Sequence, residues 1–338
     1  MNDRLDDCNK RYLVMNGPTQ QKWTRLKVDP VLLRSLMQRQ NARPMRDMLS
    51  WLGLMGLFMG LTISLWGSWW AVLPLYAYAV LYSTGSQSRE HETGHGTAFK
   101  SKGLNKFFFE LTSFMVLRES FLRTKSHDTH HQHTILTDRD PEIVTPTPPN
   151  YRALMLNLFM LERTVNGLRD VFLHSLNRLT AKDRYNGLTA LPNGALGKAR
   201  LWMAILCGVA GLSLYLSSWL PLMLIGPLPT MFGGTLRHLF ALSQHVGLAQ
   251  NVYDHRINTR TIYLGPVLGF LYMNMQYHLE HHLYPNVPYY NLPALHQLIK
   301  DQCPPAYDGL WPVFAEMLPV LWRQRHEPGY FIERPLPA

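Results

Sequence analysis

Residues 48–88 read MLSWLGLMGLFMGLTISLWGSWWAVLPLYAYAVLYSTGSQS, 41 consecutive positions without Asp, Glu, Lys or Arg. A membrane-crossing helix needs about 20 apolar residues, so this stretch holds two spans and reads as a helical hairpin. Its expected turn is Trp66-Gly67-Ser68, where Trp66, Trp69 and Trp70 suit the headgroup level that indoles prefer. A second uncharged run, 201–236, is broken near Ser217-Ser218-Trp219 and by Pro221, Pro227 and Pro229, and reads as another hairpin. A buried helix pair in a soluble protein is the poorer account of two such runs in one chain.

Each hairpin returns the chain to the side it left, so the N-terminal segment, the link between the hairpins and the C-terminal segment share one face. Residues 1–47 carry ten Lys and Arg, the link 89–200 carries many more, and the hairpin turns carry none. Positive residues stay on the cytoplasmic side, so that face is expected to be cytoplasmic. The segments 104–122 and 151–180 mix apolar with charged residues, a pattern for helices lying in the interface rather than spanning it.

Composition agrees. Charged residues make up 17% of the 338-residue chain, below the roughly 25% of an ordinary soluble domain. The net charge of +10 favours anionic partners. No compact Lys/Arg run of the nucleic-acid kind is present, so the charge is read as facing phospholipid and no nucleic-acid partner is expected. Cys8, Cys207 and Cys303 are too far apart and too few for a disulfide framework or a C-x-x-C pair.

Most of the 15 histidines fall in three clusters: His91-Glu-Thr-Gly-His95, His127-Asp-Thr-His130-His131-Gln-His133, and His278-Leu-Glu-His281-His282. Helical residues three or four apart share a face, so His91 with His95, His127 with His130 and His131, and His278 with His281 and His282 can each converge on metal. Neutral imidazole suits iron, copper, zinc and nickel, and eight such ligands exceed the needs of one ion but serve two. The first cluster alone also matches a zinc-protease signature, but such a site needs only one further ligand. A membrane transporter using the histidines as a relay would place polar groups within its spans, whereas these lie outside the uncharged runs.

At HETGHGTAF (91–99), HDTHHQHT followed by RDPE (127–142) and NMQYHLEHHLYPNVP (274–288), the sequence resembles the membrane fatty acid desaturase and hydroxylase superfamily. The resemblance implies an all-α integral membrane fold: two transmembrane hairpins, about four spans, with a cytoplasmic helical cap carrying the histidine boxes. The expected division is a cytoplasmic segment 1–47, a membrane domain 48–298 with spans near 48–88 and 201–236, and a cytoplasmic tail 299–338. The resemblance further implies two Fe2+ ions held by His91, His95, His127, His130, His131, His278, His281 and His282, with His245 as a ninth ligand and His238 its rival. No catalytic residue beyond the ligands is expected.

Glu92, Asp128 and Glu280, inside the boxes, are expected to accept a ligand's second ring N–H. His133 is expected beside the metal without binding it. Asn274, four residues before His278, is expected to share that helical face and hold a metal-bound water. Asp140 and Glu142 are divided between orienting the second box and touching substrate. His174, His255, His296 and His326 have no partner at ligand spacing and are read as surface or packing residues.

Two Fe2+ ions with O2 and two electrons can attack an unactivated C–H bond, and the protein places the substrate. The expected activity is an O2-dependent desaturase acting on an acyl-lipid, acyl-CoA or acyl-carrier-protein chain. The alternative is a hydroxylase, ketolase or tailoring desaturase of a non-lipid metabolite. No G-x-G-x-x-G fingerprint or fused redox segment appears, so an external electron donor of ferredoxin or cytochrome type is expected.

Overall fold

The computed structural model describes residues 22–337; the first 21 residues of the expected N-terminal segment lie outside the described residues. The described chain is all-α and largely buried, apart from the two-residue strands Ile262–Tyr263 and Tyr307–Asp308, which pair in parallel. It divides into two compact units. One comprises Gln40–Lys125 and Arg152–Leu239; the other comprises residues 22–39, Ser126–Tyr151 and 240–337.

The first unit contains two helices long and apolar enough to cross a bilayer, Ala42–Ser64 and Ala195–Tyr215. Twenty-three residues at 1.5 Å each make about 34 Å, enough for a hydrocarbon core of about 30 Å. Only 22% and 17% of their most apolar stretches are buried, whereas a core helix of a soluble protein is mostly covered. Leu49, Leu57, Leu201 and Leu214 stand open on their surfaces. Apolar area of this extent is unfavourable in water and fits a lipid environment, so these helices support membrane association.

Beyond Ser64 the chain turns at 65–68, with Gly67 at φ +94 and Trp69 and Trp70 exposed, where the sequence places the hairpin turn. A continuous helical path follows: Val72–Val80, a π-helical turn Leu81–Gly85, and Ser86–Gly94. The widened turn is supported on both sides. Buried Trp51 donates its indole N–H to the Leu81 carbonyl at 3.0 Å, while Ser83 Oγ and Thr84 Oγ1 donate to the carbonyls of Thr230 and Gly233 at 2.9 and 3.0 Å. Gly233 permits the approach, because a Cβ there would lie 1.9 Å from the Ala79 carbonyl oxygen.

The second expected hairpin has only one long limb. After Tyr215 the return is made by three pieces, Leu220–Leu224, Pro227–Phe232 and Thr235–His245. Pro227 and Pro229 lack the N–H a continuing helix needs, and Gly226 at φ +98 re-aims the chain. Tyr82 Oη accepts from the Gly226 N–H at 3.0 Å, and Thr230 Oγ1 donates to the Met115 and Gly226 carbonyls, so the broken limb keeps its backbone groups paired.

The same unit buries an ionic cluster where the sequence suggested surface or packing. His174, in the helix Leu161–Ser175, is closed off between two carboxylates: its Nδ1 faces Glu119 Oε2 and its Nε2 faces Asp183 Oδ2 at 2.8 Å. Asp183 also completes a capping box with Thr180. Burial pushes the imidazole down, but hydrogen bonds to Asp183 and Glu119 and their negative charge outweigh it, raising His174 from 6.5 to about 9. A raised folded value means the stabilisation is fully present below pH 6.5 and is lost as pH rises through about 9. We therefore expect the thermal midpoint, followed by circular dichroism in detergent, to fall between pH 6.5 and 9. His174→Leu should remove that dependence and cost about 3–5 kcal/mol at neutral pH, because it strands buried carboxylates.

Candidate metal centre

The second unit gathers seven histidines from three helices. His127, His130 and His131 lie on the last turns of Ser120–Gln132, His245 closes Thr235–His245, and His278, His281 and His282 lie on His278–Leu283. Spacings of three and four residues turn each set toward one side of its helix. The result is two groups. Ligand atoms of His130, His245, His278 and His282 all lie within 4.8 Å of one another, and all four residues are buried; those of His127, His131 and His281 are as close to each other.

What faces the back of each ring decides what the front can do. His127 Nδ1 meets Glu142 Oε2 at 2.9 Å, His130 Nδ1 meets Asp140 Oδ2 at 2.8 Å, and His245 Nδ1 meets the Asn258 carbonyl at 2.9 Å. All three partners are acceptors, so each Nδ1 carries the hydrogen. His282 Nδ1 meets Thr134 Oγ1 at 3.1 Å, and that hydroxyl already donates to the His130 carbonyl, so His282 Nδ1 is the donor too. In the neutral imidazole Nε2 is then bare.

The Nε2 atoms of each group face one another. His278 Nε2 lies 3.1 Å from both His245 Nε2 and His282 Nε2, and His131 Nε2 lies 3.1 Å from both His127 Nε2 and His281 Nε2. Two bare nitrogens cannot hydrogen-bond to each other, and a proton on the middle ring could serve only one neighbour. Two imidazoles on one metal, with bonds of about 2.0–2.1 Å, stand about 2.9 Å apart at a right angle and about 3.4 Å apart at a tetrahedral angle. The observed spacing falls between, so the donor set fits a metal ion in each group. Burial, then the neighbouring imidazoles, hold His245, His278 and His282 well below the ordinary histidine pKa. They are kept in the neutral form that binds metal.

Comparison with protein families places the chain. The model for "Fatty acid desaturase" matches residues 67–314. The chain belongs to the fatty acid desaturase family. Among curated proteins none matches it. Family membership and the two histidine-rich groups make this a metal-dependent oxidoreductase, with clusters consistent with a di-iron site.

In this desaturase-family chain, Asp140 and Glu142 orient the second box. Glu142 also accepts from Ser126 Oγ, and Asp140 accepts the backbone N–H groups of Ile135 and Glu142 at 2.8 Å, so the loop after the helix is folded around the two carboxylates. Glu280, buried inside the third box, accepts from Thr261 Oγ1 at 2.7 Å and pairs with His296 Nδ1 at 2.6 Å. His296 Nε2 meets Tyr263 Oη at 2.8 Å. His296 is thus part of a buried polar chain, a role its isolated place in the sequence did not signal. His255, also read as a packing residue, is buried with its ring 5.1 Å from that of His282.

Asn274 does not continue the helix of the third box; it has φ +56 in the turn before His278, and its amide donates to the Tyr289 carbonyl at 3.1 Å. Asn274 and His278 therefore do not share a helical face. Asp128 is exposed, and His133, half-buried, joins neither group. His238 is buried in the other unit, beside Arg237, and likewise joins neither group.

The first box lies in that other unit. His91 and His95 sit at the end of Ser86–Gly94 with ring centroids 4.9 Å apart, and Glu92 Oε1 is 3.6 Å from His91 Nδ1. Beside them Glu90 forms a buried ion pair with Arg123 at 3.1 Å.

Removing the carboxylate behind a ligand should loosen its ring. Glu142→Ala is expected to weaken metal binding about 10–100-fold with helix content unchanged, measured by competition with a chromophoric chelator. Asp140→Ala should do the same and in addition lower the thermal midpoint, because it releases two loop N–H groups.

Proposed function

We propose that this protein is an O2-dependent di-iron desaturase that introduces a double bond into an acyl chain carried as a lipid, a CoA thioester or an acyl-carrier-protein thioester. The observation that carries the reading is the pair of imidazole groups whose Nε2 atoms face one another at 3.1 Å, in a chain of the fatty acid desaturase family. His130, His245, His278 and His282 would hold one iron. His127, His131 and His281 would hold the other, with His91 and His95 proposed to complete it. The apolar helices support a membrane substrate, and the proposed topology has two hairpins with the histidine boxes and both termini cytoplasmic.

The two irons, when bound, supply O2 reduction and hydrogen abstraction from an unactivated C–H bond. The chain's own residues supply the setting. Asp140, Glu142, the Asn258 carbonyl and Thr134 fix the tautomers of His130, His127, His245 and His282, and burial keeps water from the group of His130, His245, His278 and His282. An external one-electron carrier is proposed as reductant.

The purified protein should hold two irons per chain, and His131→Ala and His281→Ala should each lose bound iron and turnover. With acyl substrates, a reductase system and O2, mass spectrometry should find a product lighter by about 2, the mass of H2. A product heavier by about 16 would show oxygen insertion instead. A chain that binds at most one metal ion would remove the proposal.

A further inference from the structure

Turnover on the proposed centre consumes electrons one at a time, and the structure offers a place for them to enter. Behind His282, outside both imidazole groups, lies buried His255, ring centroids 5.1 Å apart. Over His255 lies the indole of Trp23, stacked at 4.0 Å with planes 4° apart. Trp23 is only partly covered, so the two rings connect an iron-facing imidazole with the protein surface.

The segment that carries Trp23 is held in place by side chains. Trp23 Nε1 donates to the Gln132 carbonyl at 3.0 Å, the Thr24 N–H donates to the Tyr253 carbonyl at 2.9 Å, and Tyr284 Oη donates to the Leu26 carbonyl at 3.2 Å. The Lys27 backbone exchanges hydrogen bonds with the Gln302 amide at 2.9 and 2.8 Å. The segment is neither helix nor strand, and exposure alternates along it: Thr24, Leu26 and Val28 are half-buried, whereas Arg25, Lys27 and Asp29 are exposed, as is Lys22. Asp29 is engaged in capping, accepting from the Val31 and Leu32 N–H groups. Three exposed cations, Lys22, Arg25 and Lys27, therefore lie within four residues of Trp23.

We infer that the Lys22–Lys27 strap is the docking surface for a small acidic one-electron carrier protein, with Trp23 and His255 as the ring path from that carrier to His282. The inference rests on the di-iron reading above and adds the partner's position and charge. Electron transfer weakens steeply with distance through unconnected space, so a stacked pair ending on a ligand is the favourable entry. Neither ring is oxidised or reduced. Two carriers give one electron each; with O2, two protons and the two hydrogens removed from substrate, the products are the alkene and two waters. Headgroup binding would account for the three cations but not for the stacked rings behind them.

The test uses the iron-loaded full chain in nanodiscs, with two acidic probes in parallel: a [2Fe–2S] ferredoxin and a soluble cytochrome b5 haem domain. At least one should bind with an affinity that falls as ionic strength rises. The triple variant Lys22→Glu, Arg25→Glu, Lys27→Glu should bind it at least about tenfold more weakly at low ionic strength. Trp23→Leu should slow reoxidation of the saturating carrier in stopped flow, and Trp23→Phe should recover most of the rate. Iron content and circular dichroism establish that each variant is folded and loaded. Wild-type binding that ignores salt, absence of binding by both probes, a triple variant that binds as wild type does, or an unslowed Trp23→Leu overturns the inference. Wild type lacking two irons, or failing to consume O2 with dithionite and substrate, would instead remove the di-iron reading itself.

Discussion

Imidazole nitrogens held against one another with too few protons to share are the constraint on which the rest depends. His278 Nε2, 3.1 Å from two other Nε2 atoms, can offer a proton to only one of them, so a lone pair is left without a partner in a buried space unless a cation lies between the rings. The surrounding protein imposes this arrangement from behind. Carboxylates at His127 and His130, a carbonyl at His245 and a hydroxyl at His282 each fix the outward nitrogen as the donor. Burial then disfavours protonation as the escape. The loop 133–142 folds around Asp140 and Glu142, so a metal ion held by His127 and His130 would be coupled to the order of that loop.

The other unit meets a related demand, since it presents apolar helices outward while carrying polar groups within. The π-helical turn Leu81–Gly85 and the broken limb 220–245 both leave backbone groups without ordinary helical partners. Ser83, Thr84, Tyr82, Thr230 and the indole of Trp51 take up that role, and Gly233 gives the room. His174 with Glu119 and Asp183, and Glu90 with Arg123, set opposite charges against one another in the interior. The second of these pairs adjoins His91, so the helix bearing the first box is held by an ion pair one residue from its histidine.

Short-range pattern was legible in the sequence. The uncharged run 48–88 has the length of two spans, and its turn falls where the Ala42–Ser64 helix ends. Histidines three and four apart do share helical faces in the second and third boxes, because helical periodicity is a local property. The prolines of 221–229 were visible as breaks, but a hairpin limb remained the expectation; how many pieces a limb forms depends on which neighbours can satisfy the freed backbone groups.

Thus the sequence alone determined the helical class, the long apolar segments and the presence of histidine sets able to bind metal, since all three follow from composition and from spacing within a few residues. Only the tertiary structure decided the pairings over long separations: His131 with His281, 150 residues apart, His245 with His278, 33 apart, and Glu119 with His174, 55 apart. It also settled that Asp140 and Glu142 serve the second box, that Glu280 pairs with His296, and that Asn274 stands in a left-handed turn. The physical reason is that a lone histidine or carboxylate has the same local signature whether solvated or buried. Its chemistry is set by the groups that the fold brings to its other face.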